Sequence, residues 1–229
     1  VSLNRGDGTF QPATLYPVPW TGFLTAADLD GDGLTDLVAI EYQSLKVAVL
    51  RNLGGSAFFA PATEWQAGAN PRAIAVADFD RDGKPDLAVA NWADNNVSIL
   101  LNRLGGFATR VDVPLGAGPK GLATGDMNGD GLPDLVSANY SDGTVSVLLL
   151  TPGAVGFTRV NYFASAGVSD VSLADLDDDG DLDVATANEN NSATVLMNDG
   201  AGALGAPAAY PVGGLSQGIA VADLDGDGR

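Results

Sequence analysis

The sequence predicts an all-β chain folded as a β-propeller of four-stranded antiparallel blades, with four full repeats plus one composite or partial blade. Three observations carry this. An acidic run, "DLDGDGLTD" at 28–36, recurs as "DFDRDGKPD" (78–86), "DMNGDGLPD" (126–134), "DLDDDGDLD" (175–183) and, truncated, in 223–229. Successive runs begin 50, 48, 49 and 48 residues apart, a period that signals stacked repeats before any other architecture. Between the runs lie short alternating stretches rich in β-branched residues and separated by Gly, Asn and Asp, with no helical stripe.

The elements follow in order. Residues 1–16 read as the outer two strands of one blade, and 218–229 as that blade's innermost strand with half an acidic loop. The chain 1–229 is thus either a single propeller closing with a gap or a fragment of a longer ring. Each full repeat between them supplies four strand candidates. In the third, "GLATGD" leads into the acidic run and "DLVSAN" leaves it; "TVSVLLL" follows the "SDG" turn and "FTRVNYF" follows "TPGAVG". Strands of this length, four to a unit, describe a propeller blade. A β-solenoid would need shorter repeats.

Composition narrows the chemistry. Acidic residues number 29 against 11 basic, a net charge of −18, and 20 of the acids lie in the five runs. Such a surface repels nucleic acid and anionic lipid. With no histidine and no cysteine, Ser-His-Asp catalysis, disulfides and thiolate or imidazole metal sites are excluded. No apolar run is long enough to insert into a membrane. Apolar residues are 45% of the chain, enough for a sizeable core.

Numbered from Asp28, the first loop places carboxylates at positions 1, 3, 5 and 9, with Gly33 at position 6. Alternating oxygen side chains that converge on one cation, with a glycine at the sharp turn and a main-chain carbonyl at position 7, are how an EF-hand loop begins. The bidentate Glu that an EF-hand needs at position 12 is absent: Ala39, Val89, Ser137 and Thr186 stand there. The flanks are strands, so the loop reads as a nine-residue hairpin cage closed by the ninth-position Asp. An oxygen-only ligand set fits Ca²⁺ better than Zn²⁺ or Mg²⁺.

The expected ligands are Asp28, Asp30, Asp32, the Leu34 carbonyl and Asp36; then Asp78, Asp80, Asp82, the Lys84 carbonyl and Asp86. The third loop offers Asp126, Asn128, Asp130, the Leu132 carbonyl and Asp134, one charge fewer. The fourth offers Asp175, Asp177, Asp179, the Asp181 carbonyl and Asp183. Asp223, Asp225 and Asp227 stop before position 9, so four calcium sites are expected and a fifth is weak or empty. An Asp-Gly run alone often marks only a turn; the fixed period argues for more.

These loops, with "NRGDGTF" (4–10), "FFAPA" (58–62) and "LGAPAAYPVGG" (204–214), resemble the FG-GAP/VCBS repeats of integrin-α-like β-propellers. The resemblance implies a propeller, commonly of seven blades, with calcium in the hairpin between a blade's first and second strands. It also implies a secreted or cell-surface setting. Departures are the truncated fifth loop, Leu204 where the motif has Phe, and too few blades for a ring of seven.

On the face opposite the loops, Trp20 and Trp65 precede a blade's inner strand and Trp92 opens a turn. Tyr42 and Tyr140 take the place of Trp92 in neighbouring repeats, and Glu189 takes it in the fourth. These rings either form a platform for a protein or glycan ligand or cap the packing between blades. The resemblance points a ligand to that face. Arg5-Gly6-Asp7 sits where related repeats carry a plain turn. The expected role is a non-catalytic binding or adhesion scaffold; the alternatives are a lectin, or part of a polysaccharide-degrading enzyme.

Overall fold

The computed structural model describes residues 1–18, 21–42, 44–55, 58–103, 106–153 and 155–224. The first blade contains β1 (Thr21–Ala27), β2 (Asp36–Glu41) and β3 (Lys46–Leu50), then a side hairpin of β4 (Asn52–Gly54) with β5 (Phe58–Phe59), and β6 (Thr63–Gln66). The second contains β7 (Pro71–Ala77), β8 (Asp86–Asn91), β9 (Asn96–Arg103) and β10 (Gly106–Pro114). The third is β11 (Pro119–Gly125), β12 (Asp134–Asn139), β13 (Thr144–Leu150) and β14 (Phe157–Phe163). The fourth is β15 (Val168–Ala174), β16 (Asp183–Asn188), β17 (Ser192–Leu196) and β18 (Ala208–Pro211).

Within each blade the strands pair antiparallel in chain order, so every blade is a meander of four, and the described residues contain no helix. β1 lies beside β7, β7 beside β11, and β11 beside β15. The innermost strands therefore follow one another around a common axis, with the blades stacked face to face as in a propeller.

Period-2 alternation explains how the stack holds. In β8, Leu87 and Val89 point into a core shared with Val38, Ile40, Val47 and Val49 of the first blade. Ala88 points the other way, into a core with Leu135 and Leu148 of the third blade. A third cluster joins Val136, Ala138, Val145 and Val147 to Val171, Val184 and Leu196 of the fourth blade. A strand covered on both faces buries every side chain, so its polar ones need hydrogen-bond partners. β8, β12 and β16 are accordingly buried along their whole length.

Residues 1–18 carry an isolated bridge, Asn4 to Phe10, and no strand; residues 212–224 carry none either. The composite fifth blade is thus not formed by the described residues. The segment 1–16 instead ties itself together locally, with the Gln11 N–H donating to Leu3 O at 2.8 Å and the terminal amine to Thr14 O at 2.8 Å. Tyr16 meets Phe59 edge-on at 5.3 Å. Arg5-Gly6-Asp7 lies in the bridge's turn, where the Asp7 carboxylate accepts from the Thr9 N–H at 2.9 Å.

Neighbouring loops are also joined by polar staples. The Asn102 Nδ2 donates to Leu29 O of the preceding blade at 2.6 Å and to Pro85 O at 3.0 Å. The Asn198 Nδ2 does the same to Met127 O at 2.8 Å and to Leu182 O at 3.1 Å. In the third blade Leu150 holds the corresponding place, where its N–H but no side-chain amide is available. Leaving buried carbonyls without a donor costs about 1–3 kcal/mol. Asn102→Ala should therefore lower stability by that amount in chemical denaturation, whereas Asn52→Ala, whose amide donates to Thr35 O at the exposed rim and accepts from the Gly54 N–H of its own hairpin, should cost under about 1 kcal/mol.

Candidate metal centres and the opposite face

Each acidic run links a blade's first strand to its second, so all four complete loops lie at the same end of the stack. Their shape is the same. The fourth residue is left-handed in every loop: Gly31 at φ +79°, Arg81 at +64°, Gly129 at +70° and Asp178 at +65°. So is the sixth, always glycine, with φ between +78° and +94° at Gly33, Gly83, Gly131 and Gly180. A side chain there is strained, which explains the recurrent Gly.

Backbone amides gather the carboxylates inward. The first-position Asp accepts from the glycine at position 6, as Asp28 does from Gly33 at 2.8 Å, Asp78 from Gly83 at 2.8 Å, Asp126 from Gly131 at 2.8 Å and Asp175 from Gly180 at 3.0 Å. The fifth accepts from the N–H at position 7: Asp32 from Leu34, Asp82 from Lys84, Asp130 from Leu132 and Asp179 from Asp181, at 2.8–3.0 Å. In Asp28 the Gly33 amide, ahead of the burial that opposes it, holds the carboxyl below its ordinary range.

The ninth-position Asp is different in kind. Asp36, Asp86, Asp134 and Asp183 are wholly buried. One oxygen of each accepts the N–H at position 2, from Leu29, Phe79, Met127 or Leu176, at 2.9–3.0 Å. The other accepts the N–H at or just beyond the end of the third strand, from Asn52, Asn102, Leu150 or Asn198, at 2.7–2.8 Å. Burial pushes Asp86 and Asp134 up to about 6 despite these bonds, with the neighbouring loop carboxylates adding a smaller push. The side chain at position 2 then drops into the core between blades: Leu29, Phe79 and Met127 are each 1% exposed. Burying such a side chain contributes about 1.5–3 kcal/mol.

The fit to a cation can be tested on these residues. In three loops, carboxylate oxygens converge to within 4.8 Å of one another: Asp28, Asp30 and Asp32; Asp78, Asp80 and Asp86; Asp175, Asp177 and Asp183. The Asp175 Oδ1 is buried and has no hydrogen-bond donor. Asp177 is pushed up by burial and by the Asp179, Asp183 and Asp175 charges. A hard-oxygen cage with an unmatched acceptor suits a divalent cation.

The third loop has Asn128 in place of a carboxylate, and the Asn128 Nδ2 donates to Asp130 at 3.1 Å; its three acids do not form such a cluster on their own. In the second loop Arg103 pairs with Asp80 and, at 2.8 Å, with Asp82, while the Lys84 Nζ stands 3.7 Å from Asp82. In the first, Arg51 pairs with Asp36 at 2.7 Å. These arginines are neighbours of the cage that the spacing did not announce. Asp223 is exposed, and Asp225 and Asp227 lie outside the described residues.

The opposite face carries a ladder of rings and cations. The Arg72 guanidinium lies 5.0 Å from the Tyr42 ring and 5.4 Å from the Trp92 ring; Trp92 stands 5.4 Å from Tyr140. The Lys120 ammonium sits 4.9 Å from Tyr140 and bonds Glu189 at 2.6 Å, and the Tyr140 hydroxyl donates to Glu189 at 2.9 Å. Tyr42, Trp92 and Tyr140 are thus brought into one row that crosses the blades. Trp65 is not in it: it packs edge-on to Phe107 at 6.1 Å beside the core between the first two blades. Trp20 lies outside the described residues. The row's cations, Arg72 and Lys120, share one position in consecutive repeats, six residues before the acidic run, a signal hidden because other repeats place Gly22, Ser169 and Gln217 there.

An FG-GAP-like repeat profile matches residues 28–89, 78–137, 126–186 and 175–229, overlapping across most of the chain. No curated protein sequence matches it. Among solved structures, an Agrocybe aegerita lectin, described for its specific recognition of non-reducing terminal N-acetylglucosamine, superposes with a TM-score of 0.60 at 22% identity, over 90% of this chain and 59% of the lectin. BBS1N, solved in complex with ARL6DN, gives 0.58 at 17% identity over 88% and 56%. The V. cholerae biofilm matrix protein Bap1 gives 0.54 at 20% identity over 84% and 29%. The chain therefore spans less than three-fifths of the length of each of these proteins, and at such identities the likeness is one of fold. The repeated loops, the blade topology and the profile agree, and the chain belongs to the family of FG-GAP-like repeat β-propellers.

Proposed function

We propose that this chain is a calcium-stabilised, non-catalytic binding scaffold of a secreted or cell-surface protein, holding a protein or glycan ligand on the face away from the acidic loops. The observation that carries the reading is the division of labour between the two ends of the stack. One end repeats an oxygen cage wired to the core. The other bears the ring-and-cation row.

Calcium would be held by the side chains at positions 1, 3, 5 and 9 with the carbonyl of position 7, in the four complete loops. Its charge would relieve the repulsion among carboxylates that backbone amides alone gather. Among possible ligands, a glycan is supported by the A. aegerita lectin of similar fold and by the aromatic Tyr42, which is 37% exposed. Screening the calcium-loaded chain against immobilised glycans and extracellular proteins tests the reading; retention of neither class rejects it.

Two outcomes follow for the ions. At a calcium concentration about tenfold above its dissociation constant, each occupied loop adds about 1.4 kcal/mol, so a chelator should lower the thermal midpoint by several degrees, and an unchanged midpoint would count against structural calcium. The second outcome concerns pH. Asp86 and Asp134, near 6 without metal and 3.8 when unfolded, favour the metal-free fold when protonated; that contribution is present below about pH 4 and is lost as pH rises through about 6. Calcium must displace those protons, so its affinity at the second and third loops should fall about fivefold between pH 6 and pH 5, read by calorimetric titration at each pH.

A further inference from the structure

The innermost strands leave a cavity of about 380 Å³ at the ladder face, lined by Tyr42, Arg72, Lys120, Ser169, Asp170 and Gln217 among others. It draws on all four blades and lies in the range of ligand-sized pockets. Its charges are not equivalent. Lys120 is neutralised by Glu189 at 2.6 Å. Asp170, pushed up chiefly by burial, receives the Ile219 N–H at 3.1 Å. Arg72 has no carboxylate within ion-pairing distance, and its Nε is buried without an acceptor. Among the described residues it is the one cation that is neither exposed nor ion-paired, in a chain of net charge −18.

A guanidinium packed on two rings keeps its planar fork in a fixed direction, and a fork of that kind recognises a planar carboxylate through two parallel hydrogen bonds. The rest of the cavity suits hydroxyl groups. Ser169 gives its own proton to backbone, its Oγ lying 2.7 Å from Ser216 O and 3.0 Å from Ala187 O, and so presents an acceptor. Asp170 adds an acceptor, and Gln217, whose side chain also bonds Glu189, adds its remaining amide capacity. A doubly charged phosphate would meet stronger repulsion from the chain's net negative charge.

We propose that Arg72 anchors the carboxylate of a hexuronic acid residue in this cavity, with Ser169, Asp170 and Gln217 reading its ring hydroxyls. The inference rests on the ladder face being the binding face, and it adds the ligand's chemical class.

The test is titration of the calcium-loaded chain with methyl glucuronide, methyl glucoside and a short Asp/Glu peptide, followed by calorimetry and by the Trp92 indole resonance. The expected result is glucuronide binding at least about tenfold tighter than glucoside, with the Trp92 signal shifting. Arg72→Gln should abolish that preference, and Arg72→Lys should keep part of it through charge alone. If Arg72→Gln is unfolded by its thermal midpoint, the lysine variant and the wild-type resonance decide. Equal binding of the two sugars, no glucuronide binding, preference for the peptide, or an Arg72→Gln variant that still prefers glucuronide would each overturn the proposal. Retention of a neutral glycan or a protein on the array, unaffected by Arg72→Gln, would leave the scaffold reading standing while rejecting the hexuronate.

Discussion

Each acidic loop is tied to its blade by a carboxylate that solvent does not reach. The ninth-position Asp accepts one amide from the loop and one from the third strand, so it fastens three strands of the blade to a single side chain. In three loops the residue that gives the loop amide, Leu29, Phe79 or Met127, also sends its side chain into the core between blades, and two of them receive the asparagine of the next blade. Loop shape, blade register and blade-to-blade packing thereby converge within a few ångströms. The cost is an ionised group in a poorly solvated place, and burial raises Asp86 and Asp134 accordingly. A cation bound by the surrounding oxygens would remove that cost, and this makes the proposed calcium a structural partner.

The charge of the chain makes sense on this footing. Most of its acid is concentrated at one end, in loops whose amides already draw the carboxylates together. Arg51 and Arg103 supply partial neutralisation in the first two loops. At the other end, Arg72 and Lys120 are held by aromatic faces, and Lys120 also by Glu189. A desolvated cation over a ring is stabilised by about 2 kcal/mol, enough to order the row but not to replace an anion for Arg72.

Much of this was legible in residue order. The period located the blades, alternation located the buried strands, and the spacing of Asp with Gly33, Gly83, Gly131 and Gly180 located the cages. What stayed hidden depends on neighbours far apart in the chain. Asn102 and Asn198 look like ordinary residues after a strand, and only the stacking of blades reveals the carbonyls they reach, 73 and 71 residues away. Trp65 was expected on the face of Trp92 because it precedes a blade's inner strand, yet its outer strand turns it toward Phe107. Residues 1–16 contain strand-like alternation, but no paired strand forms from them among the described residues, so propensity had nothing to act on.

The central claim, that buried loop carboxylates are tolerated because a cation accompanies them, is tested most directly by unfolding Asp86→Asn and the parent chain at neutral pH, each with calcium and with chelator. The substitution removes the charge and one of two amide acceptors. The account predicts a substantial loss of stability in calcium, and a small change, within about 1 kcal/mol, in chelator, where relief of the buried charge offsets the lost hydrogen bond. An equal loss in both conditions would contradict it, leaving Asp86 a purely structural acceptor with no cation beside it.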